Sequence, residues 1–472
     1  MPSTRRSFLK SSAAAAFAIA LGETSAPSKG EPTSGSPIRS YVTGPNGDRH
    51  SVAQSYSWEQ ASHGPAIEID PSKTAQTLTG FGSALTEASC FVLDQMPDDA
   101  KSALMNEFFS PDQMGLNVCR LCIGSSDYAT TMYSYDDSGP DPKLTAFSID
   151  HDRAHVIPIL RQAQGLNPQL FLFGSPWSPP GWMKYGGSML GGSIKPKNLE
   201  TYSHYFLKYL QAYEAAGVHV SAVTMQNELD ADQGGRMPAC TWPQETEVLF
   251  IQKYLGPLLR KESPDTKIWI LDHNYDLIGR VLDVLAKPDF RKYVDAVAWH
   301  GYVGEPEQMK QVWDIYPGFE MHWTEGGSDY GSKDYLTDWS RWSATFSRIL
   351  HNGPSSITTW NIALDENGRP DIGPFGCGGV VTIHSQTNQV IRSGLYWTLS
   401  HYSRAFRPGS KIIQSTGDID GVSHIAAQRP DGSIAVILTN TGPARIVNLA
   451  NANQGASITL PADTVVTLEW SA

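Results

Sequence analysis

One pattern recurs along this chain and sets what it can fold into. Short apolar, β-like runs alternate with longer amphipathic stretches. The runs are Leu78–Leu85, Asn117–Gly124, Leu170–Pro176, Ala222–Glu228, Ile268–Asn274, Val294–Tyr302, Glu320–Gly326 and Ile357–Leu364. Leu199–Ala215 and Glu245–Lys261, which lie between runs, carry apolar residues at surface-helix spacing. Alternating strand and helix implies a parallel sheet. Eight units over about 300 residues is the arithmetic of a closed α/β barrel, a (β/α)8 TIM barrel. An open doubly wound sheet is the alternative. It does not need eight units, and no glycine-rich nucleotide fingerprint follows the first strand.

The pattern changes after about Gly394. Gly421–Ala427, Ser433–Thr439, Ala444–Leu449 and Thr464–Trp470 read as short strands with turn residues between them, Pro430-Asp-Gly included. Ala66-Ile-Glu-Ile-Asp, before the barrel, alternates in the same way. The expected division is a leader over 1–26, a flexible linker over 27–50, and sandwich strands over 51–77. The barrel then spans 78–394 and a C-terminal β-sandwich 395–472. The antiparallel sandwich is thus built from both chain ends.

The leader carries Thr4-Arg-Arg-Ser-Phe-Leu-Lys10 and then an alanine-rich run from Ala13 to Leu21. This is a twin-arginine signal, and the run is too short for a permanent span. A cut after Ala20 or Ala26 suits the small residues before it, and Ala26 is preferred. The expectation is twin-arginine export, to the periplasm or the medium. No later stretch reads as transmembrane, so no integral membrane association is expected.

With 40% hydrophobic and 18% charged residues, the chain is globular rather than disordered. A net charge of −12 argues against nucleic acid as a partner, since phosphate binding needs a basic face. Five cysteines leave at least one thiol unpaired within the chain. Cys119 and Cys122 spell C-x-x-C, but they sit three apart in a strand, on opposite faces, with no second pair. Neither metal nor cofactor is expected. His273, His300 and His322 do not form a convincing ligand spacing. Oligomeric state stays open.

The chemistry rests on two glutamates. Glu228 ends the fourth run and Glu325 falls at the end of the seventh. Barrel active sites lie at the C-terminal strand ends, so both carboxyls fall on one rim. Two such carboxyls are what a retaining glycosidase uses, about 5–5.5 Å apart. A single strand-end glutamate is more often a solvated loop residue.

Several segments resemble glycoside hydrolase family 30, which includes the glucosylceramidases. They are Thr79-Gly-Phe-Gly-Ser-Ala-Leu-Thr-Glu-Ala, Arg120-Leu-Cys-Ile-Gly-Ser-Ser-Asp-Tyr, Ser175-Pro-Trp-Ser-Pro-Pro-Gly-Trp-Met-Lys, Asn227-Glu228 and Thr359-Trp-Asn-Ile-Ala-Leu-Asp. The resemblance runs in order from about residue 50 to the C-terminus. It implies a barrel with an attached β-sandwich, Glu228 as general acid/base and Glu325 as nucleophile. It implies a substrate-binding set of Arg120, Asp127, Trp177, Asn227, His300, Tyr302 and Trp360. Asn227 would bond the sugar 2-hydroxyl, and Asp127 would accept two sugar hydroxyls. Trp177 and Trp360 would stack on a pyranose, and Tyr302 would contact the nucleophile. Arg120 would favour the ionised nucleophile, or serve as a barrel-core ion pair. His300 and His273 read equally as structural histidines.

Two departures stand out. Leu229 follows the acid/base where many relatives carry proline. Asp371–Gly379 lacks an asparagine that some glucosylceramidases use, which leaves the sugar and aglycone open. The expected activity is hydrolysis of β-glucosides, glycolipids of the glucosylceramide type among them. The alternatives are a β-xylosidase, β-1,6-glucanase or β-galactanase of the same family, or a non-catalytic carbohydrate-binding protein.

Overall fold

The computed structural model describes residues 37–60 and 64–471. The twin-arginine segment lies outside the described residues. Eight parallel strands close into a barrel. In chain order they are Gly80–Ala84, Val118–Cys122, Phe171–Ser175, Ala222–Thr224, Lys267–Asn274, Ala296–His300, Glu320–Glu325 and Ser356–Thr359. They match the eight runs one for one. The last pairs with the first through Ser356 to Thr359 on Gly80 to Ser83. Ala296–His300 is buried at every position, so its sequence, Ala-Val-Ala-Trp-His, shows no alternation. That is the signature of a parallel strand covered on both faces.

Helices form the outer layer. Leu199–Ala215 buries Leu199, Tyr202, Phe206, Tyr209, Leu210 and Tyr213, one stripe at three- and four-residue spacing. Inside the barrel, Phe173 and Trp269 fill the space left by Ala222, Ala296 and Ala298. Trp269 stacks on His322 with centroids 3.9 Å apart. His322 is therefore part of this packed plug, its Nδ1 2.8 Å from Ser356 Oγ. Gly82 lets the first two strands close up: a Cβ there would lie 1.6 Å from the Val118 carbonyl oxygen.

The second module is a ten-stranded sheet drawn from both ends of the chain. Ile67–Thr77 pairs antiparallel with Lys411–Thr416, and Arg39–Thr43 with Thr464–Trp470. Ile67, Ile69, Val436, Leu438, Leu449 and Leu468 are in its own core.

Two boundaries differ from the expected ones. Arg39–Thr43 falls in the stretch read as linker, yet it is a sheet strand with Ser40, Val42 and Thr43 buried. Only five residues long and flanked by glycine and proline, it gave little periodicity. Gly394–Ala405 is a helix, with Ser393 capping its N-terminus, rather than the start of the sandwich. It packs on the first barrel strand and on the sheet, and His401 bridges Thr467 (2.7 Å) and Thr43 (2.9 Å). All five cysteines are unpaired, with Cys119 and Cys122 buried. Among the described residues, no helix is long and apolar enough to cross a membrane.

Candidate active site

The C-terminal strand ends surround a cavity of about 430 Å³. Glu228, Glu325, Asn227, Asp127, Tyr302, Trp177 and Trp360 all line it. Arg120 and His300 do not. Both are wholly buried beneath the wall, where they touch the glutamates. That corrects their grouping with sugar-contacting residues. A strand residue that points into a closed barrel below the rim meets other side chains, not the solvent-filled mouth.

Local backbone irregularities aim these groups. Glu228 has φ 48°, the left-handed region that favours glycine, and its N–H donates to the Asp272 carbonyl at 3.0 Å. Such a conformation costs on the order of 1–3 kcal/mol and is held only by surrounding structure. The fifth strand carries a bulge: Ala298 pairs with Leu271, but Trp299 pairs with His273, so Asp272 is the extra residue. Leu271 and Asp272 have φ 70° and 51°. The seventh strand has a second irregularity, because Trp299 pairs with Trp323 but His300 with Glu325. Thr324 is the residue passed over.

The two irregularities bring Asp272 and Thr324 together, and Asp272 becomes the centre of a buried network. It accepts from Arg120 Nη2 (2.7 Å), Thr224 Oγ1 (2.8 Å), Thr324 Oγ1 (2.8 Å) and the Ser175 hydroxyl. Burial would push the Asp272 carboxyl up. The charge of Arg120 and the His300 hydrogen bond outweigh it and hold the group far below the usual range. Arg120 also donates to Glu325 and to Asn227 Oδ1 (2.7 Å). Its guanidinium lies 4.7 Å from the Trp177 ring and 5.5 Å from Trp360. Those rings stack on each other at 5.1 Å and are 2% and 3% exposed, so they front the cavity only at their margins.

His300 joins the two glutamates. Its Nδ1 is 3.3 Å from Glu228 Oε1, and its Nε2 is 3.1 Å from Asp272 Oδ1 and 3.8 Å from Glu325 Oε2. Burial disfavours its charge, but Glu325, Asp272 and Glu228 together raise it to about 9. His300 is thus an imidazolium at neutral pH. Glu228 is pushed up by burial and pulled down further by His300, His273 and Arg120, with a lowered net position. Its second oxygen accepts from Gln233 Nε2 at 2.6 Å. Glu325 Oε1 accepts from the Tyr302 hydroxyl at 3.0 Å. Asp127 is raised by burial and then by Glu325, Asp371 and Glu228.

Sequence reasoning missed Asp272 and Gln233. Asp272 was visible as the first polar residue of Ile-Leu-Asp-His-Asn, where an apolar strand turns polar at its C-terminal end. Gln233 sits on a loop and left no periodic signal. The grouping of Glu228, His273 and His300 also departs from expectation. Their ligating atoms lie within 4.8 Å of one another, although the histidines are far apart in sequence.

Comparison with known proteins places this geometry. The model of the glycosyl hydrolase family 30 TIM-barrel domain matches residues 78–406, and that of the family's β-sandwich domain matches 409–468. An endo-1,6-β-D-glucanase of Neurospora crassa is 32% identical over 395 residues, 79% of this chain and 81% of that one. A putative glucosylceramidase of Caenorhabditis elegans is 31% identical over 398 residues, 80% of this chain and 76% of that one. The crystal structure of SrfJ from Salmonella typhimurium superposes with a TM-score of 0.88 at 25% identity, covering 92% of this chain and all of that one.

Proposed function

The chain belongs to glycosyl hydrolase family 30, and from that premise we propose that it cleaves β-glucosidic bonds with retention, through a covalent glycosyl-enzyme on Glu325. The observation that carries this reading is His300. One imidazole lies within 4 Å of both glutamates and both carboxyls line one cavity, which supports a two-carboxyl displacement. Retention within that displacement is the part that the first anomer released tests.

Glu325 is held for attack by Arg120 on one oxygen and Tyr302 on the other. Glu228 donates the proton to the leaving oxygen. Its lowered position in the free protein leaves the proton on His300, 3.3 Å away, so that proton must pass to Glu228 before the leaving oxygen can take it. The Glu325 charge is the largest influence keeping that proton on His300. As Glu325 bonds to the anomeric carbon its charge is spent, and the proton shifts toward Glu228. In the second step Glu228 takes a proton from water, which attacks the same face. Asn227, fixed by Arg120, bonds the 2-hydroxyl. Asp127 accepts sugar hydroxyls, whose donation favours its carboxylate.

A glucose glycone is the reading the relatives support, since the endo-1,6-β-D-glucanase and the putative glucosylceramidase are both named for glucosides. We propose glucosylceramide-type lipids as the substrate class. The 32% identity to an endo-1,6-β-glucanase favours β-1,6-glucan as the second reading. Export by the twin-arginine route belongs to the same proposal, tested by cell fractionation with and without the two arginines.

The test is hydrolysis of a p-nitrophenyl β-glycoside panel, with proton NMR of the first sugar released. Glucoside cleavage giving β-glucose first is the expected result; α-glucose first would overturn retention. In Glu228→Gln, the loss is about 10²–10⁴-fold with poor leaving groups. It shrinks for a dinitrophenyl leaving group, which needs no acid. Parallel assays on glucosylceramide and β-1,6-glucan separate the two substrate classes.

A further inference from the structure

We propose that Glu228, His273 and His300 form a binding site for a divalent ion of the zinc and copper class, and that occupation of the site switches hydrolysis off.

His273 provides the first observation. It is 8% exposed, and its Nδ1 is buried without a hydrogen-bond partner. A buried ring nitrogen left unpaired costs free energy. That nitrogen faces Glu228 Oε1 at 3.7 Å. His300 Nδ1 faces the same oxygen at 3.3 Å. Donors around a tetrahedral ion at about 2.0–2.1 Å stand roughly 3.4 Å apart. The two separations bracket that value. The histidine nitrogens lie within 4.8 Å of each other, and a small turn of the His273 ring, which has no Nδ1 hydrogen bond to lose, closes the gap.

The second observation lies behind His300. Its Nε2 is 3.1 Å from Asp272 Oδ1. A carboxylate behind a ligating histidine fixes the ring and raises its basicity, the arrangement found where histidine binds zinc. Asp272 is itself immobilised by Arg120, Thr224 and Thr324. Two imidazoles and one carboxylate favour zinc, copper, nickel or cobalt over magnesium and calcium. Glu228 and His273 line the cavity, so the fourth position opens toward it and takes water. Binding displaces the proton between His300 and Glu228 to solvent.

The inhibitory half rests on Glu228 acting as acid/base: an oxygen committed to the ion neither gives nor takes a proton. The experiment separates the halves. The chelator-treated full-length chain is titrated with ZnCl2 by calorimetry and with Co²⁺ by visible absorption. His273→Ala and Glu228→Gln are titrated alongside, with circular dichroism checking that each variant is folded. One ion per chain, the intense bands of four-coordinate Co²⁺ and at least about tenfold weaker binding in both variants are expected. Hydrolysis by the unmodified protein should fall as zinc saturates the site and return with EDTA. Absence of saturable binding, or affinity unchanged in His273→Ala and Glu228→Gln, would overturn the site. Binding that needs His273 but leaves hydrolysis untouched supports the site and overturns Glu228 as acid/base.

Discussion

Asp272 and Asp152 are both buried, and the folded chain treats them in opposite ways. Asp272 sits beneath the barrel mouth against Arg120 and His300. Asp152, on the short helix Asp150–Ala154, accepts from Tyr133 and Tyr135 (both 2.6 Å) and from Tyr213 (2.5 Å). The cationic partners overcome burial and drive Asp272 down. Three tyrosine hydroxyls, with a smaller pull from His151, offset only part of the burial, and Asp152 stays raised. Hydrogen bonds alone tie together elements far apart in sequence, here Tyr133, Asp152 and the helix Leu199–Ala215. Charge pairing does something else. It keeps a cation, Arg120, poised on the proposed nucleophile. Between these two acids burial makes no distinction; the charge of their partners does.

The sharpest test of that division is at the mouth. Glu325→Gln removes the proposed covalent step, and kcat should fall by about 10⁴-fold or more with the fold intact. Residual activity near the unmodified level, measured on p-nitrophenyl β-glucoside, would mean that the charged network serves another carboxyl.

Asp272 comes next. Asp272→Ala leaves Arg120 and His300 buried without the nearer, better-bonded of the two anions that His300 Nε2 meets, and stability should drop by about 3–5 kcal/mol in urea unfolding. Asp272→Asn keeps the shape but not the charge. Its kcat should fall by about 10²–10³-fold, as for loss of one preorganised electrostatic group. A variant as active as the parent would place Asp272 with Asp152, among the scaffold.

The eight strands were legible because each is an apolar run between turn residues, and the period survives without any structure. The two glutamates were legible because each stands at the end of such a run. Asp272 carried a signal as the first polar residue of its run, but its contacts did not show, because the strand slips register at that residue. Simple alternation along the fifth strand does not reveal a bulge. Arg120 and His300 were found, each with a buried structural role as one alternative to sugar contact, and a strand end, which gives direction and not distance from the cavity, did not choose between them. Arg39–Thr43 was lost in the Pro- and Gly-rich start because its order comes from pairing with Thr464–Trp470, at the other end of the chain.

Acidity should separate the two regions by sign. His300 is raised from 6.5 to about 9, so its contribution to stability is complete below pH 6.5 and lost as pH climbs through 9. Asp272 is depressed, so its contribution is present above 3.8 and lost as pH falls toward its folded value. Asp152 is raised, and its cluster is penalised once pH exceeds its folded value and relieved toward 3.8. Melting temperatures across this range should show Asp272→Asn with a shallower acid limb than the parent. Asp152→Asn should show a steeper one, because the relief at low pH is gone. Parallel curves for all three proteins would remove the electrostatic distinction.

The smallest expected effect is the one most able to break the comparison. Asp152→Asn keeps most of the volume and an acceptor oxygen, but one tyrosine hydroxyl then meets an amide NH2 in place of an acceptor. A buried hydroxyl left without its acceptor costs about 1–3 kcal/mol, and that is the loss expected in unfolding. Below the unfolding transition, kcat should change by less than about twofold, because nothing in the Tyr133, Tyr135 and Tyr213 shell touches the glutamates directly. The route by which it could reach them is short: the Tyr135 hydroxyl lies 3.4 Å from the Cys122 carbonyl, on the strand that carries Arg120. A kcat loss larger than the change in folded fraction would show that the tyrosine cluster sets the height of that strand, and with it the reach of Arg120 to Glu325.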